Sequence, residues 1–115
     1  MEHKMKLYKE NFEDLKLGIK KREYRLNDEK RKQIKIGDKI KFLKLPNLDE
    51  EITVKVTKIE NFKNWYDCYK KYFNEDFKEK YKNVDEVVKD TYKGRYYTKE
   101  ETKKNGCVVF TIQKI

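Results

Sequence analysis

The chain has 115 residues, 30 of them Lys or Arg and 21 Asp or Glu, for a net charge of +9. That length suits one core and a single domain over 1–115, which nine tyrosines and six phenylalanines can fill although aliphatic residues are few. The composition argues against a membrane protein, since no apolar run approaches about twenty residues, and the start MEHKMKLYKE has no signal-peptide core. It also argues against a structural zinc site, because His3 is the sole histidine and Cys68 and Cys107 are the only cysteines. Free thiols, no metal, no cofactor and a cytoplasmic monomer are the expectations.

His3, Met5 and Leu7 alternate with Lys4, Lys6 and Tyr8, which predicts an opening strand with one buried face. Asn11 is placed to cap a short helix carrying Phe12 and Leu15 on one side, with Gly18 as its left-handed stop. Lys20 to Leu26 predicts a strand with Lys21, Glu23 and Arg25 on one face and Arg22, Tyr24 and Leu26 on the other. Asn27 or Asp28 opens a turn or one-turn helix through Lys32, and Gly37-Asp38 turns the chain into a strand over Lys39 to Leu43 with Ile40 and Phe42 inward. Pro46-Asn47 breaks it. Ile52, Val54 and Val56 then alternate with Thr53, Lys55 and Thr57 in the clearest strand signal, over Glu51 to Lys58.

Beyond Asn61 the spacing becomes helical, with Trp65, Cys68, Tyr69, Tyr72 and Phe73, then Val84, Val87, Val88 and Thr91 behind a start at Asn83 or Asp85. A row of rings resembles a base-stacking platform, but at helical spacing it reads as core. Thr98-Lys99-Glu100-Glu101 is a capping box, Asn105-Gly106 ends that helix, and Cys107 to Lys114 closes as a strand. The order predicts an α+β fold: a small, partly open β-barrel of five to six strands with helices outside.

The positive charge is concentrated. Lys16 to Lys44 holds 12 basic and four acidic residues, a net +8. Lys, Ile, Asn and Tyr are abundant and Ala and Ser absent, the bias of AT-rich coding sequence, so lysine number alone says little. Arginine runs against that bias and holds phosphate with a planar fork, so Arg22, Arg25 and Arg31 carry more weight. A focused basic segment is the footprint of a polyanion partner, and RNA or a nucleotide is expected, with Lys20, Lys21, Arg22, Arg25, Lys30 and Arg31 as its contacts. Gly18 lets the backbone turn sharply, which puts Lys20 near the mouth of the barrel, and Glu23 and Arg25 are expected to form a polar pair in that cleft.

Gly18-Ile19-Lys20-Lys21-Arg22-Glu23-Tyr24-Arg25-Leu26, followed by Gly37-Asp38-Lys39-Ile40-Lys41-Phe42, resembles the GxKxxExR and GDxIxF pattern of the ASCH domain family. His3 to Leu7 and Tyr97 to Gly106 also fit, so the resemblance covers nearly the whole chain as one ASCH domain. It implies the PUA-like fold, a small β-barrel with flanking helices, and an association with RNA binding. Some small members are amidohydrolases that remove the acetyl group from an N4-acetylated cytidine, using a lysine, a threonine three residues on and a distant glutamate. Lys20 matches the lysine, but Glu23 stands at the threonine position, and Glu75 or Glu79 are the stand-ins for the distant glutamate. On that alternative Lys20 and Glu23 would be catalytic, a Glu-activated water replacing the missing hydroxyl.

Overall fold

The opening alternation becomes a strand. In the computed structural model, which describes residues 1–94 and 97–115, β1 (Glu2–Leu7) buries Met5 and Leu7. Helix α1 (Lys9–Lys16) follows at once, with Phe12 and Leu15 buried. Asn11 does not cap it. The helix begins after Tyr8, whose extended backbone gives its carbonyl to the Phe12 amide at 2.9 Å and whose side chain caps nothing. Burying Phe12 and Leu15 together requires a turn already formed before Phe12, so packing rather than the cap residue sets this start.

Strand β2 (Arg22–Leu26) begins two residues later than the alternation predicts. Asp28 then caps the single turn α2 (Glu29–Lys32), its carboxylate accepting from the Arg31 amide at 3.0 Å. Strand β3 (Lys39–Lys44) buries Ile40 and Phe42 as its alternation requires. Strand β4 (Glu51–Phe62) buries Val54 and Val56 and runs four residues past Lys58. The helical stretch is α3 (Trp65–Lys71), α4 (Phe73–Asp76) and α5 (Val84–Lys93), with Asn64 capping the first and Asn83 the third. Helix α6 (Lys99–Asn105) carries the capping box of Thr98 and Glu101, and β5 (Cys107–Lys114) closes the chain.

The five strands form one sheet in the order β1-β3-β4-β5-β2. β1 and β3 are parallel, with Met5 opposite Phe42, and β3 and β4 antiparallel, with Ile40 opposite Val54. A parallel pair needs a long crossover, here the chain through α1, β2 and α2.

The residues group into two compact units. The first comprises Met1–Glu23, Ile34–Ile59 and Phe110–Ile115. Its core is Met5, Leu7, Phe12, Leu15, Ile34, Ile40, Phe42, Val54, Val56, Phe110 and Ile112. Within it Asp38 ties the start of β1 to the turn before β3, accepting from His3 Nε2 at 2.9 Å and from the Lys35 amide at 3.0 Å. The His3 hydrogen bond, then the Lys35 amide, and more weakly the chain's terminal ammonium hold the Asp38 carboxyl at about 2.

The second unit comprises Tyr24–Gln33 and Glu60–Val109. The ring stripe is its core: Trp65 and Tyr69 are buried and stacked at 5.5 Å, and Phe77 and Tyr24 close on Tyr69. Buried Trp65 donates its Nε1 hydrogen to Thr102 Oγ1 at 3.0 Å, so the one polar atom of the indole is satisfied. Glu60, near the end of β4, receives the Lys71 ammonium and the Tyr72 hydroxyl. At Gly106, φ is +71° and a Cβ would lie 2.7 Å from the Phe62 carbonyl oxygen, so only glycine fits.

Candidate nucleic-acid interface

The turn from α1 into β2 is built by backbone hydrogen bonds. Gly18, at φ +80°, sends its amide to the Leu15 carbonyl at 3.1 Å, while the Ile19 and Lys20 amides share the Asp14 carbonyl at 2.9 and 3.1 Å. This is the Schellman arrangement that a left-handed glycine permits, with one bond more. It fixes the backbone of Lys20 and keeps it out of the strand, which is why β2 begins at Arg22.

The Lys20 side chain folds back over β2. Its Nζ donates to the Arg22 carbonyl at 2.9 Å and lies 2.9 Å from Glu23 Oε1. Glu23 is 4% exposed, so the Lys20 ammonium is a charge partner for a carboxylate largely cut off from water. Sequence reasoning placed Lys20, Glu23 and Arg25 in one polar cleft, with Glu23 and Arg25 on one strand face. Lys20 stands three residues from Glu23, a spacing that points to opposite faces of a strand, and it reaches the carboxylate because it is not in one.

Of the basic residues singled out by sequence, Lys20, Lys21 and Arg22 lie in the first unit and Arg25, Lys30 and Arg31 in the second. Lys21 and Lys30 are exposed, and Arg22 and Arg25 half-buried on β2. Arg31 has one arm committed locally, its Nη1 donating to Asp28 Oδ2 at 2.9 Å, so it clamps the cap of α2. Glu75, on α4, and Glu79 are both exposed in the second unit.

Much of the charge counted in sequence is locally balanced. Lys44 Nζ lies 2.5 Å from Glu13 Oε1 and 3.0 Å from Glu50 Oε2, and Glu50 also draws Lys16 at 3.8 Å. Glu13 first and Glu50 second hold the Lys44 ammonium above its ordinary range, while Lys44 and Lys16 lower the Glu50 carboxyl. Lys41 meets Glu2 and Glu51, and Lys32 meets Glu29. The exposed cations that bear most directly on the Gly18 turn are Lys21 and, unforeseen in sequence, Lys114, whose Nζ donates to the Lys16 carbonyl at 2.7 Å. No local signal announces a contact between residues 98 apart in the chain.

From Leu17 to Glu23 the turn carries no hydroxyl or thiol side chain. Cys68 and Cys107 are buried in the second unit, and the hydrogen bond between the thiols, then burial, pushes the Cys68 thiol far up. Among the described residues no cluster of His, Cys, Asp and Glu could hold a metal, and no helix is long and apolar enough to cross a membrane.

The crystal structure of the hypothetical protein PH0355 matches this fold with a TM-score of 0.84 at 36% identity, over 100% of both chains. The solution structure of protein PF0455 from Pyrococcus furiosus matches with 0.75 at 35% identity, over 100% of this chain and 98% of that one. A crystallised mutant of ZmASCH from Zymomonas mobilis is similar in fold alone, with a TM-score of 0.62 at 12% identity over 97% of this chain and 67% of that one. No curated protein matches the chain. The five-stranded half-barrel sheet with flanking helices agrees with the α+β, PUA-like fold that the sequence motif implies. The ASCH domain pattern matches residues 5–115, and the chain belongs to the ASCH domain family.

Proposed function

We propose that this protein binds RNA, and that in the first unit the turn carrying Lys20 receives an anionic or hydrogen-bond-accepting group of the nucleotide. The observation that carries the reading is the state of Lys20. Its ammonium has three donors; the Arg22 carbonyl and Glu23 take two, and the backbone beneath it is fixed by the Gly18 turn. A third N–H on a positioned ammonium beside exposed Lys21 suits a phosphate or base edge at little cost in ordering. Lys20, Lys21 and Arg22 are the proposed contacts of the first unit, and Arg25, Lys30 and Arg31 those of the second.

Hydrolysis of an acetylated cytidine is the weaker reading. Glu23 occupies the position where the hydrolytic relatives carry threonine, and its carboxylate is buried against Lys20 rather than presented to a water. The test of binding is the salt dependence of fluorescence anisotropy with a labelled single-stranded RNA. Lys21→Ala with Arg22→Ala should reduce the slope of log K against log salt by about 1.4, two phosphates at about 0.7 each. Arg31 is kept intact because it also holds the α2 cap. An unchanged slope would contradict the proposal.

A further inference from the structure

Leu17 and Ile19, on either side of Gly18, are 72% and 64% exposed, although the backbone amides from Leu17 to Lys20 are all hydrogen-bonded to α1 carbonyls. The Gly18, Ile19 and Lys20 amides are all engaged on α1 carbonyls, so the two aliphatic side chains are held out on a fixed backbone. Isolated exposed aliphatics are common, but two on one backbone-tied turn concentrate apolar surface at that tip. Cations flank it in the chain and at the Lys16 carbonyl. Lys16 precedes Leu17, Lys21 follows two residues after Ile19, and Lys114 is anchored on the Lys16 carbonyl. All of these residues belong to the first unit.

We propose that the Leu17-Gly18-Ile19 tip is a contact site for an unpaired nucleobase, with Lys16, Lys21 and Lys114 taking the flanking phosphates. This deepens the RNA-binding reading and rests on it. The charge pattern points to a polyanion, and the apolar tip to a polyanion that also offers a flat apolar face. Single-stranded RNA offers both, whereas a duplex stacks its bases inward and presents mainly phosphate and sugar. The tip carries no Trp or Tyr, the rings that anchor proteins at a lipid interface.

The inference makes the apolar part of binding separable from the ionic part. Leu17→Ser with Ile19→Ser alters only exposed side chains and leaves every lysine in place. Affinity for a short single-stranded RNA of mixed sequence should fall about tenfold, as expected when one aliphatic side chain no longer leaves water on binding. Affinity for the same RNA annealed to its complement should not change, and neither should the salt slope, because no counterion release is lost. Equal binding by variant and original, or equal losses on both RNAs, would overturn the base contact and leave RNA binding standing. So would tip-dependent binding to phosphatidylserine vesicles, or tip-dependent self-association in sedimentation, with RNA affinity unchanged. Failure of the unaltered protein to bind either RNA at low salt would overturn the RNA-binding reading and this inference with it.

Discussion

Lys20 Nζ stands 2.9 Å from Glu23 Oε1, and this pair joins the stability of the fold to the chemistry of the turn. Glu23 is the more deeply buried partner, its side chain 5% exposed against 14% for Lys20. Removing Lys20 therefore takes a charge partner from a buried carboxylate, whereas removing both charges leaves no carboxylate to be compensated.

Lys20→Ala should destabilise the protein by about 3 kcal/mol, the low end for a broken buried pair because Lys20 keeps some contact with water. Lys20→Met combined with Glu23→Leu should lose much less than the two single variants summed. Urea unfolding of the two singles and the double measures this. Simple additivity would show that the pair contributes no coupling.

Gly18 and Gly106 should respond differently to substitution. Gly18→Ala meets open space and bears only the left-handed backbone, for which about 1 kcal/mol is expected. Gly106→Ala bears the same kind of strain and also drives a Cβ to 2.7 Å from a backbone oxygen, so it should cost at least twice as much. Thermal denaturation of the two variants ranks them.

Asp38 makes stability acid-sensitive in a defined window. Its folded value of about 2 lies below the ordinary 3.8, so its contribution is complete above about pH 4 and is lost as pH falls through the folded value. Between those limits the unfolded chain takes up the proton first, and falling pH favours unfolding. Asp38→Asn should therefore be less stable than the original at about pH 5, with the gap narrowing at about pH 2.5. Urea midpoints at the two pH values give the comparison; a gap that stays constant would mean that Asp38 is not held by His3 as described.

Incubation with N4-acetylcytidine should release no acetate above background, and Lys20→Ala should leave that background unchanged. Acetate release that depends on Lys20 would make hydrolysis the better reading and assign Glu23 a catalytic role.

Where one or two residues settle the backbone by themselves, the fold was legible in the chain. Gly18 and Gly106 stop helices, Thr98 and Glu101 close a capping box, and Ile40 and Phe42 alternate inward on β3. The start of α1 was not legible, because Phe12 and Leu15 are buried from a turn whose first residue, Tyr8, carries no cap signal. The sharing of one cleft by Lys20 and Glu23 was legible, but not their direct contact, which depends on Lys20 being held outside β2 by the Asp14 carbonyl. The charge of Lys16 to Lys44 was countable, but its compensation was not. Glu2, Glu13, Glu50 and Glu51 come back to it only through tertiary folding.

The central claim is that RNA is received at the turn leading into β2. The most direct measurement is an amide NMR titration of isotope-labelled protein with a short single-stranded RNA at low salt. The account predicts that the largest shifts in the first unit fall between Ile19 and Glu23 and at Lys114, and that they fade as salt is raised. Undisturbed amides in that stretch, with RNA bound and the shifts gathered on α3 and α5, would contradict it.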